Sequence, residues 1–156
     1  MAENPALDTI DLAIVRELQN DARISNKDLA AKVNVAASTC LERVRSLQRR
    51  GVLVGFHAEA DPAALGRPLQ AYIAVRVRPH NRDVVEPFIR FALDLPETLA
   101  LSHIAGPDDF LVHVAVRDAA HLQRLILDGF TSRREVAHLQ TQLIFDHVKK
   151  WDITGQ

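Results

Sequence analysis

Over the first fifty positions apolar residues recur with the 3.6-residue period of short helices, and beyond position 68 the period drops towards two. Ile10, Ile14 and Leu18 stand at i, i+4, i+8 and mark the buried stripe of a first helix ending near Asn20. Asp8 is a suitable N-cap, Leu7 and Leu12 sit at hydrophobic-staple positions, and Asp11 lies in the first turn. Ser25 begins S-N-K-D, a capping-box-like start, and Leu29, Ala30 and Val33 supply an apolar face of about two turns. The break V-N-V follows, where Asn34 can take the left-handed conformation of a tight helix-to-helix turn. A third helix is expected from Ala37 to Arg50. Cys40, Val44 and Leu47 fall on one side of it, and Ser38, Thr39, Glu42, Arg45 and Arg49 lie away from them. Gly51 stops this helix, and VLVGFHAEA then reads as a strand, the wing of the domain.

DPAALGRP, residues 61–68, is rich in turn formers and separates a domain over 1–60 from one over 69–156. In LQAYIAVRV, Ala71, Ile73, Val75 and Val77 alternate on one strand face. Residues 82–94 are helical in period. TLALSHIA and FLVHVAV read as strands around a GPDD turn, and AAHLQRLILDGF presents Leu122, Leu125, Ile126 and Phe130 as a second helix face. HLQTQLIFDHV closes the unit as a last strand. The order β-α-β-β-α-β is the ferredoxin-like arrangement, so the fold class is α+β: a winged helix-turn-helix followed by a ferredoxin-like domain. The sheet face away from the helices carries Tyr72, His113, Gln140, Gln142 and Ile144. That mixture favours a subunit interface over a merely solvated face.

Composition changes this picture in one place. The net charge of −1 over 156 residues argues against a wholly basic nucleic-acid binder, yet RVRSLQRR, residues 43–50, holds four arginines and no acid. Two short helices joined by a turn, the second Arg-bearing on its polar face, form helix-turn-helix geometry for double-stranded DNA. On this reading Ser38, Thr39, Glu42 and Arg43 reach base edges, and Arg45, Arg49 and Arg50 contact phosphates; the bland alternative is a solvated helix of a small bundle. The apolar runs fall short of the roughly 20 residues a spanning helix needs, and MAENPALDTIDL lacks the pattern of a signal peptide, so a cytoplasmic location without membrane association is expected. Cys40, the only cysteine, excludes an intramolecular disulfide and reads as a buried structural thiol. The seven histidines show no metal-helix spacing, although His103 and His113 flank the hairpin and can face each other. With no phosphate-cradling loop and no nucleophile elbow, neither a cofactor nor an enzyme is expected.

These pieces together resemble the Lrp/AsnC family of feast/famine regulators. The likeness runs from LDTIDLAIVRELQNDARISNKDLAAKV through STCLERVRSLQRRGVL and GPDDFLVHVAV to TQLIFDHVKKW. It implies a transcription regulator whose dimers pair through their sheets and often build octamers, with an amino acid or related metabolite bound between dimers near GPDD. By that match Gly106, Asp108 and Asp109 line the effector pocket, with Thr141, Gln142 and His103 as further candidates. The residues themselves agree in part. GPDD is first a tight turn, but N–H groups near Gly106 can receive a carboxylate and Asp108 or Asp109 an ammonium, which suits an α-amino acid. There are departures. Val35-Ala36-Ala37 replaces the usual Leu-Ser-Pro and loses an N-cap hydroxyl, Asn34 replaces a glycine, Glu42 replaces a basic residue, and TSRREV replaces Leu-Pro-Gly-Val. Some tetrapyrrole (sirohaem) decarboxylases are similar in two-domain architecture, and they form the enzymatic alternative.

Overall fold

A computed structural model describes residues 6–150 and 152–154. The chain divides into two compact units, one up to Glu59 together with the tail from Val148, the other Ala60–His147.

In the first unit the local signals act where they stand. Helix α1 (Thr9–Asn20) begins where the Asp8 carboxylate accepts the Asp11 N–H at 2.7 Å, and α2 (Asn26–Lys32) where Ser25 Oγ accepts the Asp28 N–H at 3.1 Å. Asn34 is left-handed, φ 55°, and turns the chain into α3 (Ala37–Arg49), which Gly51 ends at φ 71°. Ile14, Leu29, Cys40 and Leu47 form the centre of the core. Ala36 caps α3 with no side-chain hydrogen bond, and neither Asn34 nor Ser38 replaces it. Instead Asn26 Nδ2 donates to the Ala37 carbonyl at 2.8 Å and ties α2 to the first turn of α3. From the tail, Asp152 lies 3.5 Å from Arg16 Nε and Lys149 bonds Glu59 at 2.8 Å.

The expected wing strand is not formed. Val52 and Leu53 donate back to the Leu47 carbonyl, and residues 52–60 then run on without ladder partners. Val54 is 92% exposed. Alternation alone does not make a strand: a ladder needs a neighbour, and the described residues bring none to this segment.

The second unit matches the expected order: β1 (Leu69–Val77), α4 (Arg82–Asp94), β2 (Thr98–His103), β3 (Phe110–Val116), α5 (Ala119–Arg124) and β4 (Val136–Leu143). The antiparallel sheet runs β2-β3-β1-β4. Ala71, Ile73, Val75 and Val77 are fully buried beside Val112, Val114 and Val116. Phe88 of α4 packs on Phe110 and Phe130 with ring centroids 4.7 and 6.3 Å away. Two boundaries differ from expectation. The second helix changes after Arg124 into a π-helical turn, Leu125–Phe130, whose wider coil still seats Leu125 and Phe130 in the core. Strand β4 starts two residues early and ends at Leu143, after which the Ile144 N–H still donates to the Gln70 carbonyl at 3.0 Å.

On the far sheet face Tyr72 pairs with His113 and Gln142, as the alternation predicts. His113 is nearly buried, bonded to Gln70 Oε1 at 2.9 Å and set between the rings of Tyr72 and His147. His103 lies opposite Phe110 on the helix side, so the two histidines do not face each other. Among the described residues no helix is long and apolar enough to cross a membrane.

Candidate functional site

Helix α3 presents Ser38, Thr39, Glu42, Arg45 and Arg49 to solvent, as its amphipathic pattern requires. Arg49 donates to Glu42 Oε1 at 2.8 Å two turns away. That bond, and then the charge behind it, holds the Glu42 carboxyl below its ordinary range. The outer face therefore carries two guanidiniums, Arg45 and an Arg49 tethered to its own helix.

Arg43 and Arg50 depart from the expectation. Arg43 Nη1 donates to Asp8 Oδ2 at 2.6 Å and to Asp11 Oδ1 at 2.8 Å, and Arg50 Nη1 approaches Asp11 Oδ2 at 3.5 Å. Asp11 itself is only 7% exposed. Arg43 is held protonated above its ordinary value by the hydrogen bonds to Asp8 and Asp11. Asp8 is pushed below its ordinary value by the Asp11 N–H and then by Arg43. The signal for this was present in the spacing. Cys40, Arg43, Val44, Leu47 and Arg50 stand at i, i+3, i+4, i+7 and i+10, so both arginines border the buried stripe. Cys40 is fully buried, and burial pushes its thiol up, away from the reactive thiolate.

In the second unit the GPDD residues lie at the end of β1. Asp109 Oδ2 accepts the Val77 N–H at 2.8 Å and Arg78 Nη1 at 3.3 Å, while its backbone bonds Val75 and Ile104. Asp109 is thus a brace that fastens the hairpin to β1. Asp108 differs: Oδ1 is a buried oxygen that makes no hydrogen bond and lies 3.8 Å from Arg76 Nη2. Arg76 also donates to the Pro107 carbonyl at 2.5 Å, so it steadies the turn beside that oxygen. Gly106 is exposed, with open space where a Cβ would stand. Thr141 and Gln142 are not gathered with these residues. They lie opposite Ile73 and Tyr72, further along β1 and on opposite faces of the sheet. His103 packs on Phe110 and His80 beside the hairpin.

Comparison with known proteins joins the two halves. Residues 7–48 match the AsnC-type helix-turn-helix domain and residues 70–152 the Lrp/AsnC ligand binding domain. The chain belongs to the Lrp/AsnC family. It is similar to the HTH-type transcriptional regulator AldR of Mycolicibacterium smegmatis, 42% identical over 92% of this chain and 84% of that one. The leucine-responsive regulatory protein of Rhizobium meliloti is 33% identical over 92% of each chain. Among solved structures, a transcriptional regulator of Neisseria meningitidis in complex with L-Met superposes with a TM-score of 0.86 at 27% identity, covering 94% of both chains. This Lrp/AsnC protein is a DNA-binding transcription regulator with a small-molecule-responsive domain. Its relatives are regulators and not enzymes, which leaves the decarboxylase alternative without support.

Proposed function

We propose that α3 enters the major groove of a target duplex with Ser38, Thr39 and Glu42 towards base edges and Arg45 and Arg49 towards phosphates. The observation that carries this reading is the exposed polar face of α3, opposite a stripe in which Cys40 and Leu47 are fully buried. Arg43 and Arg50 are assigned to holding the helix, because their guanidiniums already meet carboxylates. Replacing Arg45 and Arg49 by Ala should weaken binding to every duplex, and the slope of log K against log salt should flatten by about 0.9 for each phosphate no longer neutralised. An unchanged slope would remove both residues from the interface.

The effector is an amino acid or a related small metabolite. The relatives' names and the L-Met complex support that class, as does the chemistry of the hairpin. The unbonded oxygen of Asp108 would take the ammonium, and open backbone near Gly106 the carboxylate. Asp109 supports the turn and His103 stands beside it, whereas Gln142 lies away from the hairpin on the far sheet face. Thr141, on the helix side, is left with a structural part.

The regulator acts on DNA in the cytoplasm as a homodimer assembled through the far sheet face, with octamers built from dimers. Exposed Gln140 and Gln142, on the same face as the Tyr72–His113 ring pair, support that face as the point of assembly. A thermal-shift screen over amino acids and 2-oxo acids tests the sensing half. A ligand at 100 times its Kd adds about 2.7 kcal/mol of stability. Light scattering in the same samples reads assembly. No shift with any compound, and one unchanging mass, would end the sensing claim.

A further inference from the structure

The N-terminus of α1 and the middle of α3 are joined by a polar cluster, although more than thirty residues separate them in sequence. Asp11 is nearly buried, and its two oxygens face Arg43 at 2.8 Å and Arg50 at 3.5 Å. Asp8 adds a second acceptor to Arg43 at 2.6 Å while it caps α1. The packing of Ile14, Cys40 and Leu47 in one apolar cluster is non-directional, which leaves the exact attitude of α3 as a freedom for directional bonds to fix. A guanidinium bonded to two carboxylates has a fixed geometry, so it sets that remaining freedom. Reading bases requires side chains placed to within about 0.5 Å, whereas attraction to phosphates does not.

We propose that Asp11 is a positioning residue for DNA recognition: through Arg43 it sets the attitude at which α3 presents Ser38, Thr39 and Glu42. This rests on α3 being the reading helix. In it, Arg43 contributes to discrimination between sequences without touching DNA.

The test uses the full chain, a duplex selected from a random pool by the unaltered protein, and a scrambled duplex of equal length. Asp11→Asn and Arg43→Met should each weaken binding to the selected duplex by about tenfold, comparable to the effect of one mismatched base pair. The scrambled duplex should bind as before, with the salt slope unaltered for both. The double variant should lose no more than either single one, as expected for residues acting as one unit. Arg43→Lys keeps the charge but not the fork and should lose part of the discrimination. It carries the test if circular dichroism shows the other variants unfolded.

Several results overturn the proposal. If Arg43 is a phosphate ligand held back by Asp11, Asp11→Asn will tighten binding to both duplexes and steepen the slope by about 0.9. Equal losses on both duplexes with a flatter slope for Arg43→Met would likewise put Arg43 directly on the DNA. Unchanged discrimination in every variant would leave the cluster purely structural. Failure of the underlying reading looks different: there, Arg45→Ala with Arg49→Ala leaves the slope untouched.

Discussion

The two units solve the same problem, fixing a functional surface, with different materials. The sensing unit buries three phenylalanines and a set of valines between sheet and helices, and its sheet register follows from that packing. The helix-turn-helix unit has no aromatic ring in its buried cluster, which is made of Ile14, Val15, Leu18, Leu29, Ala30, Cys40 and Leu47. A small aliphatic core gains less from burial, so directional bonds decide more of its geometry. Those bonds are Arg43 to Asp8 and Asp11, Asn26 to Ala37, and Lys32 to Glu17 at 2.5 Å. Packing specifies the half that senses; polar bonds orient the half that reads DNA.

The harshest way to test that contrast is to remove a ring. Phe110 is fully buried, 4.7 Å from the Phe88 ring, and pairs with His103 of β2 and Val75 of β1. Phe110→Ala should cost about 3–5 kcal/mol, the sum of forfeited transfer energy and an unfilled cavity. Urea melts followed by circular dichroism would read it. A loss under about 1 kcal/mol, well below that range, would mean that the aromatic cluster is not what holds the sensing unit.

A smaller effect of opposite sign is expected in the other unit. Ala36 already has the extended backbone of an N-cap, φ −65° and ψ 146°, but no side chain to accept an N–H. Ala36→Ser supplies the hydroxyl without changing the backbone and should add about 1 kcal/mol. The gain should appear as a raised urea midpoint with an unaltered slope of unfolding. No gain would show that the first N–H groups of α3 lose nothing by meeting solvent instead of a cap.

How far these features were legible in the sequence depends on whether the cause was local. The caps at Asp8 and Ser25, the left-handed Asn34 and the buried alternation of β1 each rest on neighbours within four residues, and each was readable. The strand expected at 52–60 was not formed because its partner would have to come from elsewhere, and period two carries no information about pairing. The π-helical turn at Leu125–Phe130 keeps the same residues inward as an α-helix would, so the pattern cannot distinguish them. For the DNA-facing side, the exposed residues followed from the wheel, but charge pointed Arg43 and Arg50 outward when their spacing to Cys40 and Leu47 pointed inward. At the hairpin, two candidates differ in what their atoms already bond, which no spacing reveals: Asp109 is hydrogen-bonded to Val77 and Arg78, whereas Asp108 Oδ1 makes no hydrogen bond and only faces Arg76 at 3.8 Å.

Glu42 offers a finer probe of the reading face. Its carboxylate faces outward and holds Arg49, so it both repels phosphate and restrains a cation. Glu42→Gln should raise affinity for a scrambled duplex a few-fold and steepen its salt slope by no more than about 0.9, the value for one more phosphate neutralised. Titrations at several salt concentrations measure both. A flat response would mean that Arg49 leaves Glu42 at no cost when DNA arrives.

The smallest expected effect lies in acid. The folded protein lowers the Asp8 carboxyl below its ordinary value of 3.8, chiefly through the Asp11 N–H and Arg43. The unfolded chain therefore binds a proton at Asp8 more readily than the folded one, and stability must fall with pH wherever that difference is felt. The contribution is fully present above pH 3.8 and is lost as pH falls through the lower folded value. Asp118, the cap of α5, is lowered likewise by the His121 N–H, so the sensing unit has an acid limb of its own. Asp8→Asn separates the two, because Asn remains a good cap but cannot titrate or pair its charge with Arg43. Urea melts from about pH 6 to about pH 3 should show the variant less stable at the upper end and closing on the parent at the lower. Parallel curves over the whole range would mean that Arg43 gains its hold on α1 from Asp11 alone.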